Sequence, residues 1–173
     1  REELAENAVK LLKKLIATPS MSRDEYNASL IIEGFFNEHQ LTVNRFKNNI
    51  WATNKHFDAG KPSILLNTHH DTVKPNKAYT LDPFIPVEKD GKLFGLGSND
   101  AGASLVAMAQ TFLYFYEAED LSHNLVIALT AEEEISGLDG IEALFPQLPN
   151  VELAIVGEPT KMNLAIAEKG LLV

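Results

Sequence analysis

Three apolar runs in this chain each stop at side chains that can hold a cation. Ser63-Ile64-Leu65-Leu66-Asn67-Thr68 leads into His69-His70-Asp71, and Asn124-Leu125-Val126-Ile127-Ala128-Leu129-Thr130 leads into Ala131-Glu132-Glu133-Glu134. The third, Val151-Glu152-Leu153-Ala154-Ile155-Val156-Gly157, leads into Glu158-Pro159-Thr160. Asp100 adds a further acid behind the glycine-rich Gly95-Leu96-Gly97-Ser98-Asn99. Open α/β sheets collect ligands outside the carboxyl ends of their strands, so these clusters would converge on one crevice. Carboxylates crowded there repel one another, and a cation relieves that repulsion. The chemistry to expect is that of a metal centre.

Each residue also has a plainer reading. An imidazole ligand needs its second ring nitrogen held, often by a carboxylate, and Asp71 stands two residues after His69. An isolated His-x-Asp is otherwise a polar turn. His70 faces the opposite way from His69 if the chain stays extended, which makes it the weaker candidate. Asp100 precedes a helix and could simply be its N-cap, although the glycines at 95, 97 and 102 imply close backbone approach. Glu132-Glu133-Glu134 is either a solvated acidic loop or a division of labour, one acid ligating metal while its neighbour accepts a proton. Glu158 could belong to an ordinary turn stiffened by Pro159. His39, His56 and His123 fall at a helix end, in a loop and before a strand, and read as surface residues. The sequence shows no nucleophilic serine elbow, P-loop or HExxH.

These residues need elements to position them. Leu4, Ala8, Leu11, Leu12, Leu15 and Ile16 have helical spacing and predict a first amphipathic helix over residues 2–16. Ser22 followed by Glu25 reads as a capping box opening a second helix, with Ile31, Ile32, Phe35 and Phe36 inward. Short strands are expected at 41–46 and 49–53, and a hairpin within 84–94 around Asp90-Gly91. A helix over 101–119 would bury Leu105, Met108, Ala109, Phe112 and Leu113. Strands at 63–68, 124–130, 151–157 and about 164–167, with a short helix near 138–144, complete the alternation. The fold class expected is α/β, a three-layer α/β/α sandwich on a mixed, mostly parallel sheet.

Composition narrows the function classes. The 173 residues allow one domain with a sizeable core. The 24 Asp+Glu against 15 Lys+Arg give a formal charge of -9, which argues against sequence-independent nucleic-acid binding. Without cysteine, disulfides and thiolate metal sites are excluded. No apolar run approaches the roughly 18 residues of a membrane-spanning helix, and Arg1-Glu2-Glu3-Leu4 lacks a signal-peptide pattern. Neither nucleic acid nor membrane is expected as a partner, and the expected location is cytoplasmic.

In combination the motifs resemble the amino-terminal part of the M20 family of zinc-dependent amidohydrolases and peptidases. The acetylornithine deacetylase and succinyl-diaminopimelate desuccinylase branch is most similar. The matching motifs are His69-His70-Asp71-Thr72-Val73, Gly95-Leu96-Gly97-Ser98-Asn99-Asp100, Thr130-Ala131-Glu132-Glu133-Glu134, Val156-Gly157-Glu158-Pro159-Thr160 and Ala167-Glu168-Lys169-Gly170. The resemblance implies a zinc-peptidase-like catalytic domain and two zinc ions, with cobalt as a possible substitute. It makes His69 a ligand of one zinc, Asp71 its hydrogen-bonding partner, Asp100 the bridge, Glu134 a ligand of the second ion and Glu158 of the first. Glu133 becomes the general base, and the peptide after Asp100 is expected to be cis.

The implied reaction is hydrolysis of the amide bond of an N-acyl amino acid, with N-acetylornithine to ornithine plus acetate, in arginine biosynthesis, as the leading case. A succinyl-amino-acid desuccinylase and a dipeptidase are alternatives within the family. A non-catalytic metal-binding or assembly domain, and more weakly a phosphoesterase, are alternatives outside it. Where the family shows Met-Lys-Gly after the bridging Asp, this chain has Ala101-Gly102-Ala103, which alters local charge but removes no ligand. The resemblance further implies that residues 1–173 are the front part of the catalytic domain of a longer enzyme, homodimeric when full-length. Its lid and dimerisation domain and its last His ligand would lie beyond this chain.

Overall fold

The computed structural model describes residues 2–161 and 163–165. Two helices come first, α1 (Glu2–Ile16) and α2 (Tyr26–Glu38), followed by β1 (Asn44–Phe46), β2 (Asn49–Thr53) and β3 (Ser63–His69). Next are the ribbon β4 (Val87–Lys89) and β5 (Lys92–Phe94), then α3 (Gly102–Phe115) and β6 (Asn124–Thr130). The short α4 (Ile141–Leu144) precedes β7 (Val151–Val156). The strands form a five-stranded sheet in the order β1-β2-β6-β3-β7, with β4-β5 as a separate two-stranded sheet.

The expected α/β architecture with a mixed sheet is what the chain forms. The Asp90-Gly91 hairpin stands apart from the main sheet, and it is β1 and β2 that run antiparallel to their neighbours. The central strands β6, β3 and β7 are parallel. The first expected strand is also shorter than its apolar run, because Leu41 is buried with the helices ahead of β1. Of the strand expected at 164–167, residues 164 and 165 have no regular structure, and the remainder lies outside the described residues. The Ala167-Glu168-Lys169-Gly170 motif does too.

Alternation along the strands separates two cores. Ile64, Leu66, Ile127 and Leu129 face α1, α2 and α3, where Leu11, Ile16, Ile32, Phe36, Leu105 and Phe112 are buried. Leu65, Val126 and Ala128 face the other way, onto Leu144 of α4, with Trp51 and Leu148 packed around them. Burying a side chain of Leu or Phe size contributes roughly 1.5–3 kcal/mol, so the helical face carries most of the stabilisation. None of the described helices is long and apolar enough to cross a membrane.

One expected start signal works differently. Helix α2 opens at Tyr26 with no side-chain cap bond from the preceding Glu25. Ser22 and Glu25 therefore do not form a capping box; both side chains are engaged elsewhere, as described below.

Candidate metal centre

Parallel register delivers the chemistry to one end of the sheet. His69 pairs with Thr130 across β3 and β6, and Asn67 pairs with Val156 across β3 and β7. The residues that follow these strands, 70–71, 131–134 and 157–158, therefore emerge side by side. Gly157 is tied in by its N–H to the Asn67 carbonyl (2.8 Å), and its own carbonyl accepts the Thr68 hydroxyl (2.8 Å).

Asp100 arrives from the glycine-rich loop. Gly97 sits at φ +70, where a Cβ would lie 2.7 Å from Thr72 Cγ2. A Cβ on Gly102 would approach the Gly97 carbonyl oxygen to 2.4 Å, so only glycine lets the start of α3 fold back on that loop. The Asp100–Ala101 peptide is cis, as the family resemblance implies. Asp100 does not cap α3. Its Oδ1 lies 3.2 Å from His69 Nε2 instead.

Around that imidazole the acids assemble. Ligand atoms of His69, Asp100 and Glu134 all lie within 4.8 Å of one another. Glu133 Oε2 stands 3.8 Å and Glu158 Oε1 3.9 Å from His69 Nε2. On the other side of the ring, Nδ1–H donates to the Asp71 main-chain oxygen at 3.0 Å and lies 3.3 Å from the Asp71 carboxylate. Held in this tautomer, a neutral His69 presents the Nε2 lone pair to the acidic opening.

Asp71 proves to be more than a partner for His69. Its wholly buried carboxylate accepts the Ser22 hydroxyl (2.7 Å), the Glu133 N–H (3.0 Å) and the Glu134 N–H (3.2 Å). Burial alone would raise its pKa, but the hydrogen bonds from His69, Ser22 and Glu133 outweigh burial and hold it below the usual value.

The consecutive glutamates separate into different roles. Glu132, in the left-handed region at φ 57, turns away, and its carboxylate accepts the Asp139 N–H (3.3 Å). Glu133 and Glu134 then point into the opening from a 3-10 turn. Local pattern alone did not set Glu132 apart, since that depends on the sign of one backbone dihedral, although the family resemblance gave roles only to Glu133 and Glu134.

The electrostatics of the site suit a cation. Burial lowers the His69 pKa, yet the Asp71 hydrogen bond and the charges of Asp71, Glu133 and Glu158 raise it overall to about 9. Glu134 is raised by burial and by Asp100, and Glu158 by burial and the neighbouring acids, against an opposing pull from His69. One imidazole and several half-buried carboxylates at this spacing suit a divalent ion with nitrogen and oxygen ligands. The donor set therefore fits a metal.

The remaining histidines stay out of the site. His70 is buried, and its Nε2–H donates to the Asn48 carbonyl (3.0 Å); burial depresses its pKa and keeps it neutral. His39 packs edge-on against Phe35, His56 lies near Glu119 and His123 near Glu152. Beside Asp100 and Glu134 lies a cavity of about 250 Å³, whose walls include Thr72, Val73, Tyr79, Ser98 and Asn99.

Comparisons with known proteins give the family and the fold. A profile described as Peptidase family M20/M25/M40 matches residues 65–169. The chain is 35% identical over 177 aligned residues to an acetylornithine deacetylase of Proteus mirabilis (strain HI4320), covering 94% of this chain and 45% of that protein. It is 32% identical over 160 residues to a succinyl-diaminopimelate desuccinylase of Sulfurovum sp. (strain NBC37-1), covering 89% and 42%. It thus spans less than half the length of these curated relatives. Among solved structures, human carnosine dipeptidase 1 superposes with a TM-score of 0.71 at 18% identity, over 93% of this chain and 39% of that one. A dinuclear metal binding peptidase of the M20 family from Bacillus subtilis gives 0.68 at 17%, over 90% and 43%. These two share the fold. By its matched profile and its curated relatives, the chain belongs to peptidase family M20/M25/M40.

Proposed function

We propose that this chain carries most of the centre of a metal-dependent amidohydrolase that cleaves the amide bond of an N-acyl amino acid. The observation that carries this reading is the placement of Glu133. Like Glu158, it stands within 4 Å of His69 Nε2 but outside the group His69, Asp100 and Glu134 whose ligand atoms lie within 4.8 Å of one another, and the family resemblance assigns Glu158 to the metal while leaving Glu133 free. An acid adjacent to a ligand set but not needed in it is available for proton transfer.

In this reading His69, Asp100, Glu134 and Glu158 hold the metal, two zinc ions in the whole enzyme, with cobalt able to substitute. The bound metal supplies Lewis acidity, polarising the acyl carbonyl and lowering the pKa of water. Glu133 takes a proton from the water that attacks the acyl carbon and returns it to the departing amine as the C–N bond breaks. Asp71 fixes the His69 ring and, through the Glu133 and Glu134 N–H groups, the turn that presents the base. The products are a carboxylate and a free amino acid.

For the substrate we infer N-acetylornithine, cleaved to ornithine and acetate in arginine biosynthesis. The deacetylase relative from Proteus mirabilis is compatible with this choice. We further infer that residues 1–173 are the front part of a longer cytoplasmic catalytic chain, homodimeric when full-length. A lid domain and a last His ligand would follow. The exposure of Leu153, Ile155 and Val156 on the edge strand β7 supports a further element packed against that strand.

The test is hydrolysis of N-acetylornithine, N-succinyl-diaminopimelate and dipeptides by the protein translated from the whole reading frame, with and without a chelator. Chelator-sensitive release of acetate is the expected result. Preferred release of succinate would assign the desuccinylase alternative. Bound metal with no hydrolysis would overturn the enzymatic reading in favour of a metal-binding or assembly role.

A further inference from the structure

The segment between α1 and α2 runs alongside the end of β3. Met21 forms an isolated parallel bridge with Thr72. The Thr72 N–H donates to the Ser20 carbonyl (2.8 Å), and the buried Ser20 hydroxyl donates to the His70 carbonyl (2.8 Å). From this seam Ser22 reaches in, and its hydroxyl donates to Asp71 Oδ2 at 2.7 Å. That contact is shorter than the two the same carboxylate makes with main-chain N–H groups of the glutamate turn, at 3.0 and 3.2 Å.

The turn that carries Ser22 is held by an unusual device. Glu25 is fully buried, and its carboxylate is satisfied by the Arg23 N–H (2.5 Å) and by Asn48 Nδ2–H (2.9 Å). The Asn48 carbonyl in turn accepts the His70 Nε2–H at 3.0 Å. Arg23 between them sits at φ 76, a conformation a non-glycine residue rarely adopts. Burying a carboxylate is costly unless it is hydrogen-bonded, and this one does not cap α2. Its hydrogen bonds instead fix the loop that aims Ser22.

We propose that Ser22 is a positioning residue of the metal centre, acting through Asp71 on both His69 and the Glu133–Glu134 turn. A carboxylate that must serve three donors and an imidazole at once has little rotational freedom left once all are in place. Removing the hydroxyl leaves Oδ2 with the Glu134 N–H alone at 3.2 Å, which loosens the ring and the turn together. Groups that hold metal ligands from behind typically govern metal affinity by 10–100-fold. The inference rests on the reading of His69, Asp100 and Glu134 as ligands.

The experiment measures the Kd for Zn²⁺, by competition against Co²⁺ absorption, on protein shown by circular dichroism to be folded without metal. Ser22→Ala is expected to weaken binding by about tenfold or more, while Ser22→Thr, which keeps the hydroxyl, stays within about threefold of wild type. In an Asp71→Asn background the same Ser22→Ala change is expected to shift Kd by less than about twofold, because its route is already cut. An unchanged Kd in Ser22→Ala, an equal loss in Ser22→Thr, or a full additional loss in the Asp71→Asn background would each overturn the proposal. A wild-type protein that binds no Zn²⁺ would sink the metal reading and this one with it. A tight-binding wild type matched by Ser22→Ala would sink this one alone.

Discussion

The two sides of the His69 ring differ sharply. On the Nδ1 side everything is packed: the side chains of His69 and Asp71 are 1% and 0% exposed, and main-chain and hydroxyl donors fill the Asp71 carboxylate. On the Nε2 side the acids are open, with the side chains of Asp100 and Glu133 55% and 53% exposed. The buried side settles orientation before any ion arrives. The open side holds like charges together and depends on the ion to offset their repulsion. Rigidity and reactivity are thus divided between the two edges of one imidazole.

That division can be broken deliberately. The largest effect is expected on the open side, where Glu133→Gln in the whole enzyme should lower kcat by about 10²–10⁴-fold, the range for loss of a general acid–base. Metal affinity should stay unchanged, and calorimetric titration with Zn²⁺ checks that half. His69→Ala cuts both sides at once. Its Kd for Zn²⁺ should rise by more than the roughly 10–100-fold that follows loss of a group behind a ligand; retention of wild-type affinity would remove His69 from the ligand set.

A pH effect comes next. Without metal the His69 pKa lies at about 9, above its ordinary 6.5. A folded-state pKa above the unfolded one means stability fully present below 6.5 and lost as pH rises through about 9. The raised Glu134 and Glu158 carry the same sign, losing stability as pH climbs past the ordinary carboxylate range. The melting temperature of the metal-free protein should therefore fall between these two pH values, on the order of 5 °C. Saturating Zn²⁺ should flatten the profile; a metal-free melting temperature that rises over this window would contradict the crowding of acids around His69.

The smallest effect concerns the glutamate that faces away. Glu132→Ala removes an acceptor from Asp139 N–H and should cost about 1 kcal/mol of stability by urea unfolding. Metal affinity should move by less than about twofold. A loss as large as that of His69→Ala would place Glu132 on the open side after all.

Much of the helical layer was legible because its signal is periodic. Leu11, Leu12 and Ile16 in α1 and Leu105, Ala109 and Phe112 in α3 are buried where spacing put them. The central strands were legible as apolar runs, and their chemical ends met because β6, β3 and β7 are parallel and in register. Local patterns misled where a polar side chain had a distant partner. Ser22 and Glu25 have the spacing of a capping box, yet their partners are Asp71 and Asn48, at separations of 49 and 23 residues. The Asp90-Gly91 hairpin was readable as a hairpin, but whether it joined the main sheet was not.

The sequence by itself determined which residue types could chelate a cation, their order along the chain, and the strands that would end at them. These follow from side-chain chemistry and local periodicity, which need no partner. Only the tertiary structure decided that Glu132 turns outward, that Asp100 meets His69 and leaves α3 uncapped, and that Asp71 ties three segments together. Those outcomes depend on contacts between residues far apart in the chain, where competing hydrogen bonds of similar strength are resolved by which groups the packed core brings within reach.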